Sequence, residues 1–220
     1  MEHKRLTLFA GHYGSGKTNI AVNYALMLAN EGKKVCIADL DIVNPYFRTK
    51  DSADELEKAG VALVSPQFAN SNVDLPALPA EAYRLVTDKA TYGIMDIGGD
   101  DRGAYALGRY VPSIIEENCY RLVYVANCYR PLTRTPEEAL EVMREIEAAC
   151  GLQFTDIINN SNLGEETTAE TLLASLDYID QLCKISGLPL FAHTAIPPVA
   201  AELSKELTPV ISLHLQKKIF

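Results

Sequence analysis

Residues 6–31 read LTLFAGHYGSGKTNIAVNYALMLANE. The first five residues form a short apolar run, which is typical of a buried strand, and residues 17–31 carry apolar side chains at helical spacing before Gly32. Between them, residues 11–18 match Gly-x-x-x-x-Gly-Lys-[Ser/Thr], the pattern of a phosphate-binding loop. The segment therefore predicts a strand, a phosphate-binding loop and a helix.

The residue types in this loop suit the triphosphate tail of a nucleotide. Glycines let the backbone N–H groups point inward at phosphate oxygens, and the helix that follows adds its positive N-terminal end. Lys17 is expected to reach the β and γ phosphates, and the Thr18 hydroxyl to coordinate Mg²⁺. A glycine-rich turn without a ligand is the alternative. The predicted nucleotide-binding residues here are Gly11, His12, Tyr13, Gly14, Ser15, Gly16, Lys17 and Thr18.

The rest of the chain alternates strand-like and helical segments. Strands are predicted at residues 35–40, 61–64, 92–97, 121–126, 155–159 and 188–192, the last strand of the chain. Helices are predicted at 54–59, 80–90, 136–150 and 168–184, followed by two short C-terminal helices. Strands joined by helical crossovers form a parallel sheet covered on both faces. We therefore expect a three-layer α/β/α P-loop NTPase fold with a mainly parallel sheet, as a single domain over residues 1–220.

Three aspartates follow or end predicted strands. Asp39 and Asp41 stand at the end of residues 35–40, where strand alternation points both carboxylates the same way, and Asp96 ends residues 92–97. Ligands of parallel sheets bind beyond the carboxyl ends of the strands, where such carboxylates can hold magnesium. A helix cap or a solvated strand end is the structural alternative for each aspartate taken alone.

The chain resembles the MinD/ParA-like branch of the P-loop ATPases, which also includes the nitrogenase iron protein and cobyrinate-synthetase-type enzymes. The resemblance covers most of the chain and rests on residues 11–18, on VCIADLDIVNP at 35–45, on DIGG at 96–99 and, more weakly, on IINN at 157–160. It implies bound ATP and Mg²⁺, with Asp39 and Asp96 supporting the metal alongside Thr18. It also implies that Asp41 orients the attacking water in a first switch segment, and that Gly98 and Gly99 open a second.

The same resemblance implies residues on the base side. Either Asn159 or Asn160 would contact adenine, and the segment containing Pro197 would pack on the base. The chain reads NNSN at 159–162 rather than Asn-Lys-x-Asp, which by resemblance to GTP-binding relatives favours adenine over guanine. One position departs from the family: MinD and ParA proteins place a lysine after the first loop glycine and use it across an ATP-sandwiched dimer, whereas this chain has His12. A homodimer is therefore left open.

Composition restricts the partners. A formal net charge of −9 disfavours nucleic acid and anionic lipid, and no run of apolar residues is long enough to span a bilayer. The five cysteines include no Cys-x-x-Cys pair, and the N-terminus lacks the pattern of a signal peptide, so a cytoplasmic location is expected. Residues 210–220 place apolar side chains on one helical face; docking on the sheet is favoured over a membrane anchor.

Three functional hypotheses follow. The leading one is a Mg-dependent ATPase whose nucleotide state controls a protein partner or assembly, with Lys17 and Asp41 as catalytic residues. The second is an ATP-dependent small-molecule enzyme, a carboxylate-activating synthetase or kinase, whose substrate is held near Asp100, Arg102, Arg130 and Arg134. The third is a nucleotide-binding module with negligible turnover.

Overall fold

The computed structural model describes residues 2–40, 49–64, 83–98 and 107–215. Within these residues, eight strands form one parallel sheet in the order β3-β2-β4-β1-β5-β6-β7-β8. The strands are β1 Leu6–Ala10, β2 Val35–Leu40, β3 Ala62–Val64, β4 Tyr92–Ile97, β5 Tyr120–Ala126, β6 Asp156–Asn159, β7 Leu190–Ala195 and β8 Val210–Ser212. Strand β1 lies between β4 and β5, so the order of the strands reverses beside the end of β1. Ligands bind at such reversal points in open parallel sheets.

Helices cover both faces of the sheet. They are α1 Lys17–Asn30, α2 Ala53–Lys58, α3 Arg84–Thr87, α4 Val111–Glu117, α5 Pro136–Cys150, α6 Ala169–Leu173, α7 Leu176–Ser186 and α8 Pro197–Leu203. Helices α1 and α2 pack in one apolar cluster with Phe9 of β1, while α3, α4, α5 and α7 pack in another with Leu6 and Leu8. Alternate β1 side chains thus enter opposite cores, as the two-residue period of a strand requires. The predicted three-layer α/β/α architecture is confirmed.

Two of the predicted helices differ from the structure. The helix predicted at residues 168–184 is two helices, α6 and α7, separated at Ser175, whose hydroxyl donates to the carbonyl of Leu172 at 2.7 Å. The helix predicted at 80–90 is described only from residue 83, and its α-helical part is Arg84–Thr87. The carbonyls of Leu85 and Thr91 in this region accept hydrogen bonds from the buried guanidinium of Arg5.

The C-terminal prediction was wrong in its secondary structure. Residues 188–192 were expected to be the last strand, but that strand is Leu190–Ala195, and Val210–Ser212 adds another strand parallel to it. One of the two expected C-terminal helices is α8; the residues at 210–212 are extended because they pair with β7. The expected docking onto the fold is present up to the last described residues, since Leu213 is buried and its N–H donates to the carbonyl of Ala195.

Helix α4, Val111–Glu117, was missed by the sequence analysis. It is short, has Pro112 in its first turn and buries Ile114 against the sheet. No helix among the described residues has the length and apolar character required to cross a bilayer.

Candidate functional site

The loop at residues 11–16 joins β1 to α1 at the reversal point of the sheet. A Cβ on Gly11 would lie 2.7 Å from the carbonyl oxygen of Val125 in β5, so only glycine fits there. Gly16 has a φ of 94°, and a Cβ on it would collide with Nδ2 of Asn160. The N–H of Ser15 donates to the carbonyl of His12 at 3.1 Å, which closes a tight turn. Close backbone approach and positive φ are the reasons that this motif requires glycines.

Asn160 holds the loop from the neighbouring strands. Its Nδ2 donates to the carbonyl of Ser15 at 2.6 Å, and its Oδ1 accepts from the hydroxyl of Thr194 at 2.6 Å. Asn160 directly follows β6 and Thr194 is in β7, so two further strands fix the shape of the loop. The role expected of Asn160 at the base did not include this contact with the loop.

Lys17 and Thr18 begin helix α1 and are both buried, with 4% and 7% of their surface exposed. Nζ of Lys17 donates to the carbonyl of His12 at 3.3 Å, so the ammonium group lies over the loop it follows. The contact of Lys17 with the β and γ phosphates and the coordination of Mg²⁺ by Thr18 stay predictions.

Two carboxylates lie on adjacent strands next to the loop. Asp39 of β2 and Asp96 of β4 are register partners, and Asp96 is also the partner of Phe9 in β1. Both are buried, and Asp96 Oδ2 accepts a hydrogen bond from the hydroxyl of Thr49 at 3.1 Å. The structure therefore brings together Asp39, Asp96 and the strand that leads into the loop. Asp41 and Gly99 lie outside the described residues; Gly98 is the last residue described after β4.

His12 is surrounded by positive charge. Partial burial lowers the pKa of its imidazole, the neighbouring charges of Lys17 and Arg130 lower it further, and a hydrogen bond with the Tyr13 backbone only partly opposes them. Its ordinary pKa is already near 6.5, so the imidazole is neutral at neutral pH. Lys17 and Arg130, rather than His12, are therefore the permanent positive charges in this part of the site.

Asn159 is fully buried and is hydrogen-bonded within the protein. Its Nδ2 donates to the hydroxyl of Ser175 at 2.9 Å and lies 3.2 Å from Nδ1 of His193, and its Oδ1 accepts from the N–H of Ser161. Burial also lowers the pKa of His193, against the opposing charge of Asp180. This network joins β6, β7 and the start of α7. The adenine contact expected of Asn159 or Asn160 stays a prediction.

Pro197 is exposed and is the first residue of α8, directly after β7 and Ile196. It is therefore placed at the same edge of the sheet as the loop, since parallel strands share the edge at which they end. Its packing against a base stays a prediction.

The donors of the site fit an anionic ligand. Among the described residues, Oγ of Ser15 and Nε of Arg130 are buried without a hydrogen-bond partner. Both can donate to phosphate oxygens, as can the loop N–H groups and Lys17. Thr18, Asp39 and Asp96 supply oxygen ligands, which is the chemistry Mg²⁺ prefers, usually together with substrate phosphates. These residues would hold the nucleotide tail and its magnesium.

Solved structures support the same fold. No protein-family model matches the chain, and no curated protein sequence matches it. The cell division protein FtsY from Thermotoga maritima is 20% identical over 86% of this chain, with a TM-score of 0.57. Chloroplast FtsY from Physcomitrella patens is 18% identical over 86%, with a TM-score of 0.53. The 54 kDa signal recognition particle protein from Aeropyrum pernix, solved with GDP, is 18% identical over 84%, with a TM-score of 0.50.

These likenesses show that the chain shares its fold, a parallel sheet covered by helices on both faces, with these proteins. The chain spans 60%, 58% and 40% of the lengths of those three structures, so it corresponds to only part of each.

Proposed function

We propose that this chain binds Mg-ATP in the loop at residues 11–18, hydrolyses it, and uses its nucleotide state to control a protein partner. The observation that carries the proposal is the loop itself. Gly11 and Gly16 lie where a Cβ would collide with the protein, and the lysine and threonine of the loop are buried at the start of α1. Two carboxylates stand on the adjacent strands.

The choice of adenine rests on the sequence at the end of β6. The chain has NNSN at 159–162 where GTP-binding relatives of the proposed family have Asn-Lys-x-Asp. The Aeropyrum pernix protein was solved with GDP, so guanine is the competing base within this fold. Binding of Mg-ATP and Mg-GTP to the same preparation separates the two.

Hydrolysis would proceed by in-line attack of a water oriented by Asp41. Lys17, the loop N–H groups and magnesium would stabilise the charge that develops on the γ phosphate. Asp39 and Asp96 would hold the magnesium together with Thr18. In this scheme the nucleotide orders the segments that follow β2 and β4, which is how P-loop switches report the γ phosphate.

A protein partner is supported by exposed apolar side chains at the nucleotide edge. Tyr13 follows β1, Leu132 follows β5 and Leu163 follows β6, and each exposes about half of its surface. In this proposal these side chains are part of the surface that contacts the partner. The partner in this proposal is another protein or a second copy of the chain.

Calorimetric titration with Mg-ATP and Mg-GTP, followed by measurement of phosphate release, tests the proposal. We expect Mg-ATP to bind more tightly, Lys17→Ala to lose binding, and Asp41→Ala to keep binding but stop release. If K17A retained micromolar affinity for the nucleotide, the loop would not be the binding site. If D41A released phosphate at the wild-type rate, Asp41 would not orient the attacking water. Phosphate release that requires a small carboxylate would favour the synthetase or kinase hypothesis. Tight nucleotide binding without phosphate release would favour the non-hydrolysing module.

A further inference from the structure

Arg130 lies against the phosphate-binding loop although it follows a different strand. A Cβ on Gly14 would lie 3.6 Å from Nε and 3.7 Å from Cζ of Arg130. The guanidinium is therefore beside the loop backbone at Gly14, four residues after β5 ends at Ala126. The charge of Arg130 also reaches His12, whose pKa it lowers.

The turn that carries Arg130 is held in place by its own hydrogen bonds. The carbonyl of Asn127 accepts from the N–H of Arg130 at 3.2 Å and from the hydroxyl of Thr133 at 2.8 Å. Oδ1 of Asn127 accepts from the N–H of Tyr129 at 3.0 Å, and both Asn127 and Thr133 are 1% exposed. A turn fixed at its base holds the arginine at the loop before any ligand binds, which lowers the entropic cost of binding.

The guanidinium is available for an anion. Among the described residues, Nε of Arg130 is buried without an acceptor, and none of the ion pairs involves Arg130. An arginine presents five N–H donors in a planar fork and binds phosphate oxygens in pairs. The unpartnered Nε and the neighbouring loop N–H groups can bind the same kind of ligand, an anion.

We propose that Arg130 binds the phosphate tail of the nucleotide in cis and supplies the second cation of the loop, beside Lys17. This role rests on the proposed nucleotide-binding function. A positive charge that the related ATPases carry within the loop, at the position of His12, is here delivered from the turn after β5. The loop then has two permanent cations without a contribution from another copy of the chain.

Three variants of the full chain test this role: Arg130→Gln, Arg130→Lys and, as the matched control, Arg144→Gln. Arg144 is exposed on helix α5, and no role at the site is proposed for it. The affinity of each for Mg-ATP or Mg-GTP, whichever the wild type binds more tightly, is measured between low and high salt. We expect R130Q to lose about tenfold or more in affinity, R130K to lose less, and R144Q to stay within about twofold. The decrease of affinity with salt should be shallower in R130Q because one charge contact is missing.

The outcomes separate this inference from the function on which it rests. If the wild type binds neither nucleotide, the proposed function fails and the role of Arg130 fails with it. If the wild type binds but R130Q binds equally well, only the role of Arg130 is wrong. Equal losses in R130Q and R130K with an unchanged salt dependence would also overturn it, because a merely structural arginine would behave in that way. Thermal unfolding without nucleotide checks that R130Q is folded.

Discussion

Gly16 shows how a single residue ties the loop to the sheet. Its φ of 94° is strained for any other residue, and a Cβ would also collide with Asn160, which holds the carbonyl of Ser15. Gly16→Ala should therefore destabilise the fold and weaken nucleotide binding. Gly60→Ala is the matched control, because Gly60 has a φ of 74° with nothing within 4 Å of a Cβ.

The two glycine variants distinguish the cost of backbone strain at positive φ from the cost of a steric clash with Asn160. The control should cost about 1–2 kcal/mol of unfolding free energy, the penalty of left-handed backbone alone. G16A should cost more by urea denaturation and should bind Mg-nucleotide at least about tenfold more weakly. Equal costs in the two variants would show that Asn160 moves aside freely.

Among single residues, Glu117 gives the clearest prediction of how the stability of the fold depends on pH. Its burial raises the pKa of the carboxyl, but hydrogen bonds and charges from Arg5 and Lys89 outweigh burial, so the pKa lies below its ordinary value. A carboxyl whose pKa is lowered by folding stabilises the fold at pH values above the pKa that it has in the unfolded chain. This contribution is lost as the pH falls through the pKa that it has in the folded protein. Glu117→Gln should therefore cost about 3 kcal/mol at pH 7, because it leaves the buried Arg5 without its counter-charge.

Urea denaturation at pH 7 and at pH 4 measures this cost. The difference between wild type and E117Q should shrink at the lower pH. Glu116→Gln, an exposed neighbour, is the control and should change stability by less than about 0.5 kcal/mol. A cost that is independent of pH would mean that packing, not charge, makes Glu117 important.

Among the elements, those defined by local sequence were predicted best. Helix α5 was predicted with its correct bounds because Thr135 and Glu138 form a capping box, Pro136 follows the cap, and Gly151 adopts a positive φ at the end. The helix across Ser175 was predicted as continuous because its break depends on Asn159, which is distant in sequence and donates to the Ser175 hydroxyl. Sequence patterns carry no information about such a partner.

The prediction for the last strand was wrong for a related reason. Residues 211, 215 and 219 are apolar at a spacing that suits a helix, and this pattern was followed. Residues 210–212 are nevertheless a strand, because the exposed edge of β7 pairs with them. Tertiary pairing overrides local preference most easily in short segments.

Helix α1 and the C-terminal segment are joined by Asn23. Its Oδ1 accepts from the N–H of His214 at 2.8 Å, and its Nδ2 donates to the carbonyl of His214 at 2.9 Å. Asn23→Ala should speed hydrogen exchange of the amides at residues 211–214 by about tenfold or more, while those of β1 stay protected. Mass spectrometry of exchanged peptides measures this.

Asn30→Ala is the control for that variant, because it makes the same substitution at an exposed site of α1. It should leave the exchange at residues 211–214 unchanged. Unchanged exchange in N23A would show that β8 is held by its pairing with β7 alone.

At the scale of the whole molecule, the architecture was predictable and the chemistry of the base was not. Alternating strands and helices, with one phosphate-loop motif, sufficed for the three layers. The loop contacts of Asn160 and Arg130 join residues more than 100 positions apart, and no local pattern indicates them. Arg130 was placed at the correct edge because it follows a strand, but its closeness to Gly14 emerged only from the fold.

Nucleotide binding should also raise the stability of the entire fold. A ligand that binds only the folded state adds about 2.7 kcal/mol to the unfolding free energy at 100 times its Kd. Thermal unfolding with and without Mg-ATP should show this shift in wild type and in Lys34→Ala, a change to an exposed lysine that pairs with Asp88. Lys17→Ala should show no shift; a shift of wild-type size would place the bound nucleotide elsewhere.

The contact between Asn23 and His214 links helix α1 to the C-terminal segment of the described chain. Asn23 is on the helix that starts with Lys17, so the backbone of residue 214 is fastened to the element that presents the ammonium group. A truncation that removes His214 would leave the side-chain amide of Asn23 without this partner, about one and a half turns after the start of the helix. Shortening the protein at its C-terminal side should therefore loosen helix α1 at Asn23 as well as the sheet edge where the cut is made.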